Sequence, residues 1–446
     1  MEPGTRTLPR WFDDAKLGIF VHWTAAAVPA FAPVTDSPFD LAASGGWEEA
    51  MRCSPYVEWY QNSVAIEGSP AQLHHRDHYG DAPYDAFVAE FLAGHGGWEA
   101  DPWADLFQAA GARYVVLVTK HHDGVLLWPS ATANPHKERW ASERDLVGDL
   151  AAAVRERGLR FGTYYSGGLD WTFGGLPITD LGSMFGAIPQ SEEYLAYADA
   201  HWRELIERYR PDVLWNDIGY PAAGDLDGLF SEYYAAVPEG VVNNRFDWMA
   251  QSSGARHCDF VTPEYSTEGD PHRKWEATRG IGTSFGYNRQ EPESSYLSPD
   301  GLVRMFVDVV AHGGNLLLNV GPTAAGTIPW IQAQRLLALG WWLRTNGPAI
   351  FGTRPAPTPT GRTAEGHDVR FTDGDGARHA IVLGTPASAE VELLEVTPPA
   401  GAQVHLLGHD AALPWATTTA GGVRVGLPGR PADAPALALR IAPAPS

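Results

Sequence analysis

Two carboxylates in this sequence stand directly after short apolar runs: Asp217 in DVLWNDIGYP and Glu264 in VTPEYS. A pair of acids flanking one bond is what cleavage of a glycosidic linkage requires. One acid must stay ionised, to attack or to stabilise an oxocarbenium-like centre; the other must carry a proton for the departing oxygen. Asp217, beside Asn216 and with Arg245 on a following run, is placed to stay charged. Glu264, next to Tyr265 and facing the charge of Asp217, is placed to hold a proton. Taken singly, Asp217 also reads as a helix cap and Glu264 as a loop acid.

Their company strengthens the pair. His22 closes one apolar run, His121, His122 and Asp123 follow another in TKHHDG, Tyr164 and Tyr165 close a third, and Arg245 ends a fourth. Histidines in such number raise the question of zinc, which favours three N/O ligands with one open position. Adjacent histidines on a strand point to opposite faces, however, so imidazole groups bonding sugar hydroxyls are the better reading and no metal or cofactor is expected. His74, His75 and His78 in QLHHRDHYG read as a solvated loop or helix surface. Trp59, Trp128, Trp171, Trp215 and Trp248 are candidates for stacking on a sugar ring, although burial is the commoner fate of a tryptophan. The glycine-containing stretch WEATRGIGTSFGYN has neither dinucleotide nor P-loop spacing, and no GxSxG elbow is present.

Elements must hold these residues together. Near-continuous apolar runs at residues 17–23, 114–120, 159–166, 212–217, 241–245, 260–265 and 315–320 suit parallel strands covered on both faces. Helical patterns lie between them, at 145–157, at 191–210 and after Ser298-Pro299, where Leu302, Met305, Phe306, Val309 and Val310 form one stripe that ends at Gly313-Gly314. The alternation predicts an α/β fold, an irregular (β/α)8-like TIM barrel over residues 1–353, with the polar residues at the C-terminal strand ends where such barrels keep their sites. Pro-rich residues 354–361 read as a linker. Residues 362–446 carry short alternating segments of a small antiparallel β-sandwich with a loose tail.

The chain has 446 residues, 44% of them hydrophobic, and a formal charge of −22. That length and apolar content support a large core. The charge argues against nucleic acid and anionic membrane surfaces as partners. There is no apolar run long enough to span a bilayer and no signal-peptide pattern at the start; with two cysteines, Cys53 and Cys258, read as free thiols, the expectation is a cytoplasmic protein. Homo-oligomerisation is compatible with all of this.

The segments WFDDAKLGIFVHW, VEWY, TKHHDG, YYSGGLDW, DVLWNDIGYP, TPEY, WEATRGIGTSFGYNR and GGNLLLNVGP, in this order, resemble the α-L-fucosidases of glycoside hydrolase family 29. The resemblance implies a retaining exo-hydrolase of terminal α-L-fucosyl linkages in fucosylated glycans, with Asp217 as nucleophile. It implies Glu264 as acid/base, with Asp259 and Glu276 as alternatives. His22, Glu58, Trp59, His121, His122, Tyr164, Trp215 and Arg245 would bind the sugar. Phe20 and Phe285 would hold its C6 methyl, a contact worth about 1 kcal/mol. Val125 departs from the family, where an aromatic residue often follows HHDG. The alternatives are a catalytically silent fucose-binding protein and a glycosidase for another 6-deoxy or galacto-configured sugar. Aglycone contacts are expected from loops such as 61–95 and 172–192.

Overall fold

The computed structural model describes residues 6–443 other than 395 and 420, so the last residues of the expected loose tail, 444–446, lie outside it. Seven strands form one parallel sheet: β1 Leu17–Val21, β2 Tyr114–Lys120, β3 Arg160–Tyr165, β4 Val213–Asn216, β5 Val241–Val242, β6 Glu276–Gly280 and β7 Asn315–Val320, in the order β5-β4-β3-β2-β1-β7-β6. Alternate side chains divide between two cores, because strand side chains point to opposite faces. Phe20, Tyr114, Val116, Val118, Tyr164, Val213, Trp215, Val241 and Leu317 pack together inside the curved sheet, closed below by Phe12. Ile19, Val115, Leu117, Phe161, Leu214, Leu316 and Leu318 pack outward against the helices. Gly18 is small of necessity, since a Cβ there would sit 2.4 Å from the ring of Tyr114.

The gap between β5 and β6 is filled by residues 260–264, expected as a regular strand but held only by single bridges, Asn243 with Phe260, Val261 with Trp275 and Glu264 with Thr278. Pro263 has no N–H to donate, which interrupts a continuous ladder. The segment still occupies an eighth strand position and delivers Glu264 to the same rim as Asp217. The helices begin as the sequence indicates: Ser298 caps Pro299–Ala311, Asp145 caps Leu146–Glu156 and Ser191 caps Glu192–Tyr209. No helix among the described residues is long and apolar enough to cross a membrane, and both cysteines are free.

The C-terminal part is a five-stranded antiparallel sheet facing a three-stranded one. The larger contains β8 Arg354–Arg362, β9 Asp368–Gly374, β10 Ala377–Val382, β12 Gln403–Leu406 and β15 Leu437–Ala442; the smaller contains β11 Glu390–Leu393, β13 Trp415–Thr417 and β14 Val423–Gly426. The expected linker at 354–361 is therefore a strand. It lies at the sheet edge with a register shift between Pro355 and Thr360, where the missing N–H groups of alternate prolines are tolerated. The sandwich packs on the barrel through Trp342 Nε1 donating to Ala436 O at 2.8 Å and Thr372 Oγ1 to Ala349 O at 2.7 Å.

Candidate active site

The strand ends converge on a cavity of about 500 Å³. At its inner end one guanidinium joins the two acids. Arg245 Nη1 donates to Asp217 Oδ1 at 2.9 Å and Nη2 to Glu264 Oε1 at 2.7 Å. Nε and Nη2 also bond the hydroxyl and carbonyl of Thr262, at 2.8 and 3.0 Å. With C–N bonds of about 1.33 Å the two Nη atoms sit about 2.3 Å apart, so the bonded carboxylate oxygens are separated by no more than about 8 Å. Tyr164 donates to the other oxygen of Asp217 at 2.9 Å. Burial opposes the charge on Asp217, yet Arg245 and these hydrogen bonds hold its carboxyl below the usual range.

The histidines are kept neutral by burial. It drives His22 down to about 4, His122 to about 3 and His121 well below 6.5. A neutral imidazole has one donor and one acceptor nitrogen, the set that a sugar hydroxyl complements. His22 is oriented by Nδ1 against Asn319 Oδ1 at 2.6 Å and His122 by Nδ1 against Ser166 Oγ at 2.6 Å. His121 and His122 both line the cavity. The expectation that they face apart does not hold, because β2 ends at Lys120 and the pair follows in irregular backbone. Among the described residues no three His, Cys, Asp or Glu side chains are grouped as metal ligands.

Phe20, Trp215 and Phe285 form the apolar wall, with Phe20 against Trp215 at 5.1 Å and Phe285 against His22 at 5.0 Å. Glu58 and Trp59 complete the lining. Glu58 accepts from Gly286 N at 2.8 Å, and burial pushes its carboxyl up to about 7. The cavity thus offers an ionised acid bound to a cation, a second acid on the same cation, neutral hydroxyl partners and a patch for a methyl group.

A family model described as α-L-fucosidase matches residues 2–348. The tissue α-L-fucosidase of Rattus norvegicus is 32% identical over 440 residues, 96% of this chain and 87% of its own. The human tissue enzyme is likewise 32% identical, over 96% of this chain and 87% of its own. The Thermotoga maritima α-fucosidase solved with a mechanism-based inhibitor is 41% identical, with a TM-score of 0.86 over 98% of this chain and 97% of that one. The chain belongs to the α-L-fucosidase family.

All twelve site residues expected from the sequence of this fucosidase-family chain line the one cavity. The two alternative acids do not. Glu276 is buried inside the barrel, bonded by Tyr114 and, at 3.0 Å, by Trp215 Nε1. Asp259 lies at the start of the eighth strand position, held by Arg6 at 2.7 Å and Tyr234 at 2.7 Å. Val125 is buried outside the cavity lining, so its departure from the family pattern leaves the site untouched. Trp128 and Trp171 are buried and do not line the cavity, whereas Trp248 stands at its mouth. His75 is not solvated: it is buried on the helix Pro70–Tyr79, with Nδ1 against Tyr60 Oη at 2.9 Å. Sequence reading missed Asn319, which orients His22, and Gly286, whose N–H holds Glu58; both lie in the family-like segments, but neither ends an apolar run. Of the two segments expected to meet the aglycone, 172–192 supplies Leu181, Met184 and Phe185 to the outer wall. Residues 61–95 contribute nothing to the lining, and the helix Pro38–Arg52 supplies Phe39, Trp47 and Met51 instead.

Proposed function

We propose that this protein is a retaining exo-α-L-fucosidase that releases terminal L-fucose from fucosylated glycans or glycoconjugates. The single arrangement that carries the reading is Arg245 clamping Asp217 and Glu264 at the inner end of a cavity lined by neutral histidines. Fucose would enter with its C6 methyl on Phe20 and Phe285 and its hydroxyls on His22, His121, His122 and Glu58. Asp217 attacks the anomeric carbon as Glu264 gives its proton to the glycosidic oxygen; the C1–O bond breaks and a fucosyl ester forms. Glu264, now a carboxylate, takes a proton from water as the water oxygen bonds C1. The ester breaks, Asp217 is released as a carboxylate, and the configuration is retained. Retention needs the carboxyls about 5–5.5 Å apart, within the limit set by the shared guanidinium. A Thermotoga maritima relative has been solved in complex with fucose, which supports the sugar assignment.

The test is release of 4-nitrophenol from its α-L-fucoside, with the anomer first formed followed by NMR. The expected result is an α-configured product, loss of several orders of magnitude in Asp217→Ala, and residual turnover in Glu264→Ala that azide accelerates. Activity only on another aryl glycoside would remove the sugar assignment. Fucose binding without turnover of any glycoside would reduce the protein to a silent binder.

A further inference from the structure

The inner cavity is accounted for by a sugar; its mouth is not. Phe39, Trp47 and Met51 reach the mouth from the helix Pro38–Arg52, Met184 and Phe185 from the helix Leu181–Gly186, and Trp248 from the start of Trp248–Ser252. Exposure rises outward along the lining. Phe20 and Trp215 are 1% and 2% exposed, whereas Phe39, Phe185 and Trp248 are 47%, 46% and 52% exposed. Large apolar side chains from three separate segments, gathered in the open around one cavity, mark a binding surface rather than scattered surface residues. Gly46, with φ 83° and ψ 167°, breaks the first helix, so Phe39 and Trp47 stand on separate limbs of it.

The chemistry of this wall selects its occupant. Of the six side chains only the two indoles can donate a hydrogen bond, and the two thioether sulfurs accept only weakly. A sugar at this position could stack one face on an indole, but the wall offers its hydroxyls only these two donors and leaves the rest to water. An aryl or alkyl group would instead bury apolar surface, and the unbranched methionines can repack around different shapes. We propose that the mouth is an aglycone site for apolar groups, so that among the α-L-fucosides this enzyme cleaves, those with an aryl or long alkyl group next to the fucose are turned over faster than those with a second sugar there. The proposal rests on the fucosidase reading of the inner cavity.

Methyl and octyl α-L-fucoside test it, because their leaving groups are chemically alike and differ only in buried length. At roughly fourfold per buried methylene, burial of about three of the extra methylenes is expected to make kcat/KM favour octyl by about sixtyfold. The Phe39→Ser, Phe185→Ser and Trp248→Ser variants, singly and combined, are expected to bring the ratio toward one. The ratio does not depend on the fraction of folded enzyme. A wild-type ratio near one, a high ratio that these substitutions leave unchanged, or faster turnover of a fucosylated disaccharide would overturn the proposal. So would an unchanged ratio in variants whose sedimentation shows a lost dimer, which would assign the mouth to a second copy of the chain. α-L-Fucosyl fluoride, whose leaving group is one atom, separates the two readings. Turnover of the fluoride with a ratio near one removes only the aglycone site; no turnover of the fluoride removes the fucosidase reading and the aglycone site with it.

Discussion

Arg245 shows how much one planar cation can organise. Its guanidinium bonds both acids and Thr262 and lies over the ring of Trp215, 4.8 Å from the centroid. A lysine keeps the charge but not the fork, so it cannot hold two carboxylates in fixed relation. Arg245→Lys is expected to lower kcat/KM on the aryl fucoside by about 10²–10³, the usual loss for a preorganised electrostatic contact. Arg245→Met should do more. Burial alone raises the carboxyl of Asp217, and the cation is the main influence that brings it down. Without the cation the pKa of Asp217 rises, and the acidic limb of kcat/KM moves to higher pH. A pH–rate profile compares the variants. An unshifted limb in Arg245→Met would show that another group sets the ionisation of Asp217.

At the scale of elements, the loop after β3 supports the histidine pair. Lys120 and Asp170 form an ion pair at 3.0 Å with both side chains wholly buried, and Lys120 Nζ donates to Ser166 O at 2.7 Å. Ser166 in turn contacts His122. Lys120→Met leaves Asp170 buried and unpaired, which is expected to cost about 3–5 kcal/mol; chemical denaturation measures it, and a loss below about 1 kcal/mol would contradict the role given to the pair. Elements of this kind were legible wherever hydrophobicity announced them: β2 and β7 coincide with their apolar runs, and the helices begin at their capping residues. β6 was not legible, because its buried side chains include Glu276 and Thr278, whose polarity hides a strand whose hydrogen bonds lie inside the barrel. The edge strand β8 was hidden by alternating prolines that normally signal a linker. The site was legible as a set of strand ends. Its outer wall was legible only in part: the segment 172–192, which supplies Phe185, was expected to meet the aglycone, whereas Phe39 sits in the helix Pro38–Arg52 with no spacing that points to a cavity.

Across the whole molecule, the interior keeps several imidazoles uncharged, and this fixes how stability responds to acid. Burial lowers His22, His95, His201 and His379 to about 4 and His122 to about 3. In the unfolded chain these groups titrate near 6.5. Between those limits the unfolded state holds more protons, so their contribution to stability is present above about pH 6.5 and is lost as pH falls. Glu58, Glu276 and Asp123 act in the opposite sense. Burial raises them to about 7, 7 and 6, so they take up protons in the folded state first and favour folding as pH drops below neutrality. The histidines outnumber them by about two protons, equivalent to about 2–3 kcal/mol per pH unit between roughly pH 6 and 4.5. The thermal midpoint is therefore expected to change little between pH 7.5 and 7 and to fall as pH is lowered from 6.5 to 4.5 in buffers of matched ionic strength. His379 offers an independent check, since it lies in β10, far in sequence from the barrel site, and neither of its buried ring nitrogens has a hydrogen-bond partner. His379→Leu removes one of the protons taken up on unfolding, so it should raise the midpoint more at pH 5 than at pH 7.5. An equal change at both pH values would mean that His379 is charged or solvated in the folded protein, and a midpoint flat across the range would mean the same of the group as a whole.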